Sequence, residues 1–123
     1  KGISADNTYP YAEKVQTCQV QSGIYKIKSY VNIASCSELD KVLLQRPIPV
    51  AVDGYYFGGY KSGIFDNCGT SINLPVYLVG ATDSFYRLKN FWGTNWGEQG
   101  YIRIAKKYNM CGICIAPTYP VSA

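Results

Sequence analysis

The chain has 123 residues, of which 47% are hydrophobic and 16% charged, with a formal net charge of +4. That length fits one domain with a modest core, and the composition excludes a disordered tail. The charge is dispersed, with only Arg103, Lys106 and Lys107 locally grouped, which excludes the dense basic stripe of a nucleic-acid surface.

In chain order, residues 1–22 are mostly polar around a rigid Tyr9-Pro10-Tyr11 and read as an extended surface connection. The first residues carry no signal peptide, so the chain reads as beginning in mid-protein. Tyr25, Ile27, Ser29 and Val31 alternate with Lys26, Lys28, Tyr30 and Asn32, the period of a half-buried strand. A helix is expected over about residues 37–45. Ser37 can cap it with Asp40 bonding back, Leu39, Val42 and Leu43 share one face, and Pro47 stops it. Pro47 to Val52 then read as a buried strand whose prolines sit at its start. Between residues 53 and 71, Tyr55, Tyr56, Phe57, Tyr60 and Phe65 interleave with glycines, as in a loop that binds carbohydrate or protein or else packs on its own domain. Further strands are expected over residues 76–79, 85–89, 101–105 and 115–121. No apolar run approaches the roughly 20 residues that span a bilayer.

Asn90-Phe91-Trp92-Gly93-Thr94-Asn95-Trp96-Gly97-Glu98-Gln99-Gly100-Tyr101 holds both tryptophans of the chain. Glycines between two such large rings describe a surface loop folded back on its own aromatics. The five cysteines are Cys18, Cys36, Cys68, Cys111 and Cys114, and their scattered spacing points to disulfides in an oxidising compartment. Cys111-Gly112-Ile113-Cys114 is a C-x-x-C. A zinc site would need two more ligands in a chain with no histidine, and a thioredoxin-like site would need a strand-to-helix context. Neither a metal nor another cofactor is expected.

The order Asn90, Trp92, Gly93, Trp96-Gly97-Glu98-x-Gly100-Tyr101 resembles the Asn-Ser-Trp-Gly…Trp-Gly-Glu-x-Gly-Tyr segment of papain-like cysteine proteases, the cathepsin L-like branch. Tyr60-Lys61-Ser62-Gly63-Ile64-Phe65 and the closing Tyr119-Pro120 resemble further motifs of that family, so the likeness runs from Tyr9 to Val121. It implies an α+β, papain-like fold: an antiparallel, β-barrel-like C-terminal domain over residues 23–123 with one short helix. Residues 1–22 would then connect the two domains, and the helical N-terminal half would lie outside this chain. The resemblance pairs Cys68 with Cys111 and sends Cys18 to a cysteine in that other half. Cys36 and Cys114 are left, and they pair if residues 25–33 and 115–121 run antiparallel.

In the family, an Asn-His-Ala-Val-x-x-Val-Gly segment carries the catalytic histidine, where this chain reads Asn73-Leu74-Pro75-Val76-Tyr77-Leu78-Val79-Gly80. The resemblance therefore puts Leu74 at the histidine position, Asn90 at the third position of the Cys-His-Asn set, and Trp92 as the tryptophan covering the Asn–His hydrogen bond. Leucine can neither take nor give a proton, and beside a thiol it would raise the thiol's pKa. Pro75 removes a backbone N–H, and Phe91 puts a ring where the family usually has serine. Chemistry lost on a kept fold is the implied reading: a pseudoprotease with a structural or peptide- or protein-binding role. Ala51, Ile72, Pro75 and Ala116 would line a vestigial cleft. Its expected partner is the N-terminal half, and its expected place the secretory route, extracellular or lysosomal/vacuolar. Two alternatives stay open: the C-terminal part of an active endopeptidase with a base from elsewhere, and a stand-alone disulfide-stabilised inhibitor or lectin-like binder.

Overall fold

The structure, a computed structural model, describes residues 2–123. Its elements are β1 (Ile27–Asn32), α1 (Cys36–Leu43), β2 (Ile48–Val52), β3 (Ile64–Phe65), β4 (Leu74–Ala81), β5 (Phe85–Lys89), β6 (Tyr101–Ala105) and β7 (Thr118–Ser122). They fall into two compact units, Asn32–Tyr119 and a smaller one made of residues 2–31 with Pro120–Ala123.

The larger unit is built on a five-stranded sheet in the order β2-β4-β5-β6-β3. Alternation in sequence becomes alternation in burial. Ile48, Val50 and Val52 of β2 and Leu74, Val76 and Leu78 of β4 face inward, with residues between them turned out. Tyr86 and Leu88 of β5 and Ile102 and Ile104 of β6 continue that inner face, onto which Leu39 of α1 and Ile113 pack. The sheet is open, where a barrel-like antiparallel domain is the expectation from sequence. The short β3 pairs parallel with β6, and β2 carries Pro49, which cannot donate to a further strand.

The helix is capped two residues earlier than expected and ends at Leu43, two residues short of the expected end at residue 45. Ser35, extended at φ −154°, accepts from the Glu38 N–H, and the Glu38 carboxylate accepts in turn from the Ala34 N–H at 2.9 Å. Ser37 lies inside the helix instead of capping it. Two serine-to-acid boxes overlap here, and the first one closes the turn. The segment 115–121 also differs from expectation. Residues 110–112 form a 3-10 turn entered through left-handed Tyr108 and Asn109, so the last strand begins only at Thr118. Asn109 Oδ1 holds that turn by accepting from the Cys114 N–H at 2.8 Å.

Two disulfides staple the larger unit, Cys36–Cys114 and Cys68–Cys111, with Cα separations of 5.3 and 5.1 Å. In the smaller unit, residues 2–26 form no named element and make a single bridge, Ile3 with Tyr25. Cys18 there is exposed and has no disulfide partner among the described residues. β1 pairs only with β7, in a two-stranded sheet, so Ile27, like Tyr25 before the strand, stays exposed where sequence alternation predicts a buried face. A two-stranded ribbon has no second layer to bury a face against.

Candidate functional site

The site grows out of the way β4 starts and β5 ends. The two strands pair antiparallel from Tyr77↔Lys89 to Ala81↔Tyr86. Pairing does not reach back to Pro75, whose ring nitrogen has no hydrogen to offer. Beyond Lys89 the chain turns to its other neighbour, and the Asn90 N–H donates to the Gly100 carbonyl at 3.0 Å. One step past the last pair, Asn90 comes beside Val76. Its burial continues the inward series of Tyr86 and Leu88, as Leu74 does that of Val76 and Leu78.

Asn90 is 6% exposed, and its amide is only half used. Oδ1 accepts from the Phe91 N–H at 2.8 Å, while Nδ2 is buried with no partner among the described residues. Leaving such a donor unpaired costs about 1–3 kcal/mol, so this amide is poised for an acceptor that the described residues do not supply. Leu74, 9% exposed, is covered by the Asp53-Gly54 turn. Gly54 donates its N–H to Asn73 Oδ1 at 3.0 Å, and a Cβ at Gly54 would lie 2.6 Å from Leu74 Cδ2, so only glycine lets the turn lie so close. Asp53 is buried beside it and accepts from the Tyr55 N–H. The sequence reading passed over Asp53 and Gly54, although the Asp-Gly dipeptide was the available turn signal.

The aromatic loop stacks above this point. Trp92 meets Trp96 edge-on at 5.1 Å and Phe91 at 6.3 Å, and Trp96 donates its indole N–H to the Phe57 carbonyl at 3.0 Å. Tyr60 and Phe65 pack into this cluster, whereas Tyr55 and Tyr56 stay exposed as a T-shaped pair. Of the four cleft positions expected from sequence, Ala51 and Pro75 stand opposite each other across β2 and β4. Ile72 packs instead by Gly112 and Ile115, and Ala116 is exposed just beyond them. The outward face carries a shallow groove of about 330 Å³ lined by Pro49, Val50, Pro75, Tyr77, Lys89 and Phe91 among others. Phe91, 68% exposed, is its most prominent ring.

The base of the aromatic loop is fixed electrostatically. Arg103 forks onto Glu98, Nη2 to Oε1 at 2.6 Å and Nε to Oε2 at 2.9 Å, and the Gly63 N–H donates to the same carboxylate. The Arg103 hydrogen bonds hold the Glu98 carboxyl down at about 2, against an ordinary value of 4.5. Burial raises the Tyr60 hydroxyl, which donates to the Gly63 carbonyl at 2.7 Å. A depressed carboxyl contributes stability that is present above its unfolded pKa and is lost as pH falls toward the folded one. The thermal unfolding midpoint of the wild type should therefore fall as pH is lowered from about 4.5 to about 2. Glu98→Gln should lower the midpoint at neutral pH and flatten that acid limb; an unchanged acid limb in the variant would remove Glu98 from the account. No cluster of metal-ligating side chains occurs among the described residues.

The Papain family cysteine protease model matches residues 1–121. The chain belongs to the papain family of cysteine proteases. Cathepsin L 2 of Paramecium tetraurelia is 37% identical over 123 residues, covering 98% of this chain and 39% of that protein. The bromelain protease from Ananas comosus, solved in complex with the E64 inhibitor, superposes with a TM-score of 0.86 at 34% identity, covering 100% of this chain and 64% of that one. The Carica candamarcensis cysteine protease CMS1MS2, in complex with E-64, gives a TM-score of 0.87 at 30% identity over 98% of this chain and 62% of its own. The papain-like chain thus spans about two fifths of the curated relative. Its fold is that of the C-terminal domain, α+β with one helix and an open sheet. No helix among the described residues is long and apolar enough to cross a membrane.

Proposed function

We propose that this chain is a catalytically inactive papain-like domain, a pseudoprotease kept as a structural or polypeptide-binding component. The observation that carries the reading is Leu74. It lies on the inward face of β4, on the same side of the sheet as Asn90, in a chain of 123 residues without a histidine. Papain-type chemistry lowers a thiol's pKa by pairing it with an imidazolium, which then protonates the leaving amine. Leu74 does neither, and the idle Asn90 amide fits a residue that has lost the ring it once oriented. Ala51, Pro75 and the groove beside Phe91 then serve for binding, with Ile72 and Ala116 as a second apolar patch.

In this reading residues 1–22 connect to a papain-like N-terminal half, Cys18 bonds to a cysteine in it, and the protein belongs to the secretory, extracellular or lysosomal/vacuolar route, a reading that the two disulfides support. The test is the pH dependence of thiol alkylation in the complete polypeptide. Without an imidazolium partner, no cleft thiol should stay reactive below neutrality, and its rate should fall about tenfold per pH unit below about 8.5. A cysteine other than Cys18 that alkylates as fast at about pH 5 as at about pH 8 would identify an active peptidase with its base supplied from elsewhere.

A further inference from the structure

The two disulfides occupy unlike surroundings. Cys111 is fully buried in the core, with its carbonyl accepting from the Asp53 N–H. Cys36 and Cys114 are only partly buried, and together they line a pocket of about 240 Å³ whose wall also includes Asp40, Tyr86, Lys106 and Met110. A small thiol can enter there; at the other bridge Cys68 is also partly buried, but attack on it would expel Cys111 as a thiolate inside the core, where desolvation disfavours the charge.

Cys36 is also the first residue of α1, directly after the Ser35 cap. Free backbone N–H groups and the positive end of the helix dipole stabilise a thiolate at that position. Three nearby charges modulate this. Glu38 in the first turn opposes a thiolate, but its carboxylate is drawn back onto the Ala34 N–H. Asp40 also opposes it and is offset by Lys106 at 3.0 Å. A disulfide whose reduced form gains a stabilised thiolate is the more easily reduced one, because that sulfur is the better leaving group.

We propose that Cys36–Cys114 is a thiol-exchange site for small thiols of the glutathione class, while Cys68–Cys111 is permanent. An incoming thiolate attacks Cys114 Sγ, the Cys36–Cys114 bond breaks, and Cys36 leaves as the thiolate at the helix N-terminus. A second thiol attacks the mixed disulfide, releasing Cys114 as a thiol and carrying away one small-molecule disulfide. Two electrons pass to the protein, and two small thiols become one disulfide. The bridge joins the start of α1 to the residue just before Ile115 and Ala116, so its opening frees that exposed apolar patch from the helix. The site is independent of whether the domain has lost peptidase chemistry.

The test uses the complete polypeptide with its free thiols first blocked by alkylation and the reagent removed, so that no free thiol of its own competes. It is exposed to limiting dithiothreitol under native conditions, quenched with an alkylating agent and mapped by mass spectrometry. Cys36 and Cys114 should be labelled at least about tenfold faster than Cys68 and Cys111, with the circular-dichroism spectrum retained. Equal rates, or faster labelling of Cys68 and Cys111, would overturn the proposal. In the partly reduced protein Cys36 should alkylate at lower pH than Cys114; coincident profiles would overturn the role given to the helix N-terminus.

Discussion

Phe57→Ala is expected to lower the unfolding free energy by about 3–5 kcal/mol, as for large buried aromatics. Phe57 is fully buried, meets Phe65 edge-on at 5.5 Å and lies 6.3 Å from Trp96, whose indole N–H its own carbonyl accepts. Truncation empties the centre of the cluster that carries the Asn90–Tyr101 loop, and nearby rings cannot refill it without leaving their rotamers. Against a typical domain stability of about 5–15 kcal/mol, that loss brings the variant close to unfolding at ordinary temperature. Chemical denaturation measures it, with near-ultraviolet circular dichroism reporting the loss of tryptophan packing. A loss under about 1 kcal/mol would mean that the aromatic loop is held by its glycine turns and the Glu98–Arg103 pair alone.

Removing Cys68–Cys111 by alanine at both positions should cost about 3–4 kcal/mol, more than removing Cys36–Cys114 in the same way. Loop length alone argues the opposite, since the sequence separations are 43 and 78. The bridges are nested, however, so either one already shortens the loop closed by the other, and the entropic gap between them shrinks. What remains is burial. Cys111 is wholly enclosed, so its truncation also leaves a void, whereas Cys36 and Cys114 face a pocket. Parallel denaturation curves for the two double variants decide it, and a larger loss from the Cys36–Cys114 pair would reverse this ordering.

Much of this architecture is legible in the chain because its strands carry period-two burial. Leu74, Val76 and Leu78 against Pro75 and Tyr77, or Tyr86 and Leu88 against Arg87, state their own faces. The misreadings are equally physical. Ser35 and Ser37 offer the helix overlapping caps, and only tertiary context selects the first, since Cys36 is then presented to Cys114. The alternation from Tyr25 to Val31 is a genuine strand signal, but burial needs a second layer that a two-stranded ribbon lacks. The open sheet follows from the shortness of β3 and from Pro49, neither of which periodicity weighs.

At the candidate site, Leu74, Asn90 and Trp92 take their proposed roles from the resemblance to the papain family. Sequence alone did not reveal the idle Nδ2 of Asn90, because whether a buried amide finds a partner depends on which neighbours fold against it. Nor could it show that Gly54 presses on Leu74 at a distance no other residue would allow.

The central claim, that a leucine at residue 74 leaves this papain-family domain without a catalytic base, is tested most directly by peptide hydrolysis. The complete natural polypeptide is assayed with fluorogenic peptides from about pH 4 to about pH 8, with and without prior thiol alkylation. The account predicts no turnover above buffer at any pH, identical before and after alkylation. Hydrolysis that alkylation abolishes would contradict it, and would require either a base other than imidazole or a histidine from outside residues 1–123, which contain none.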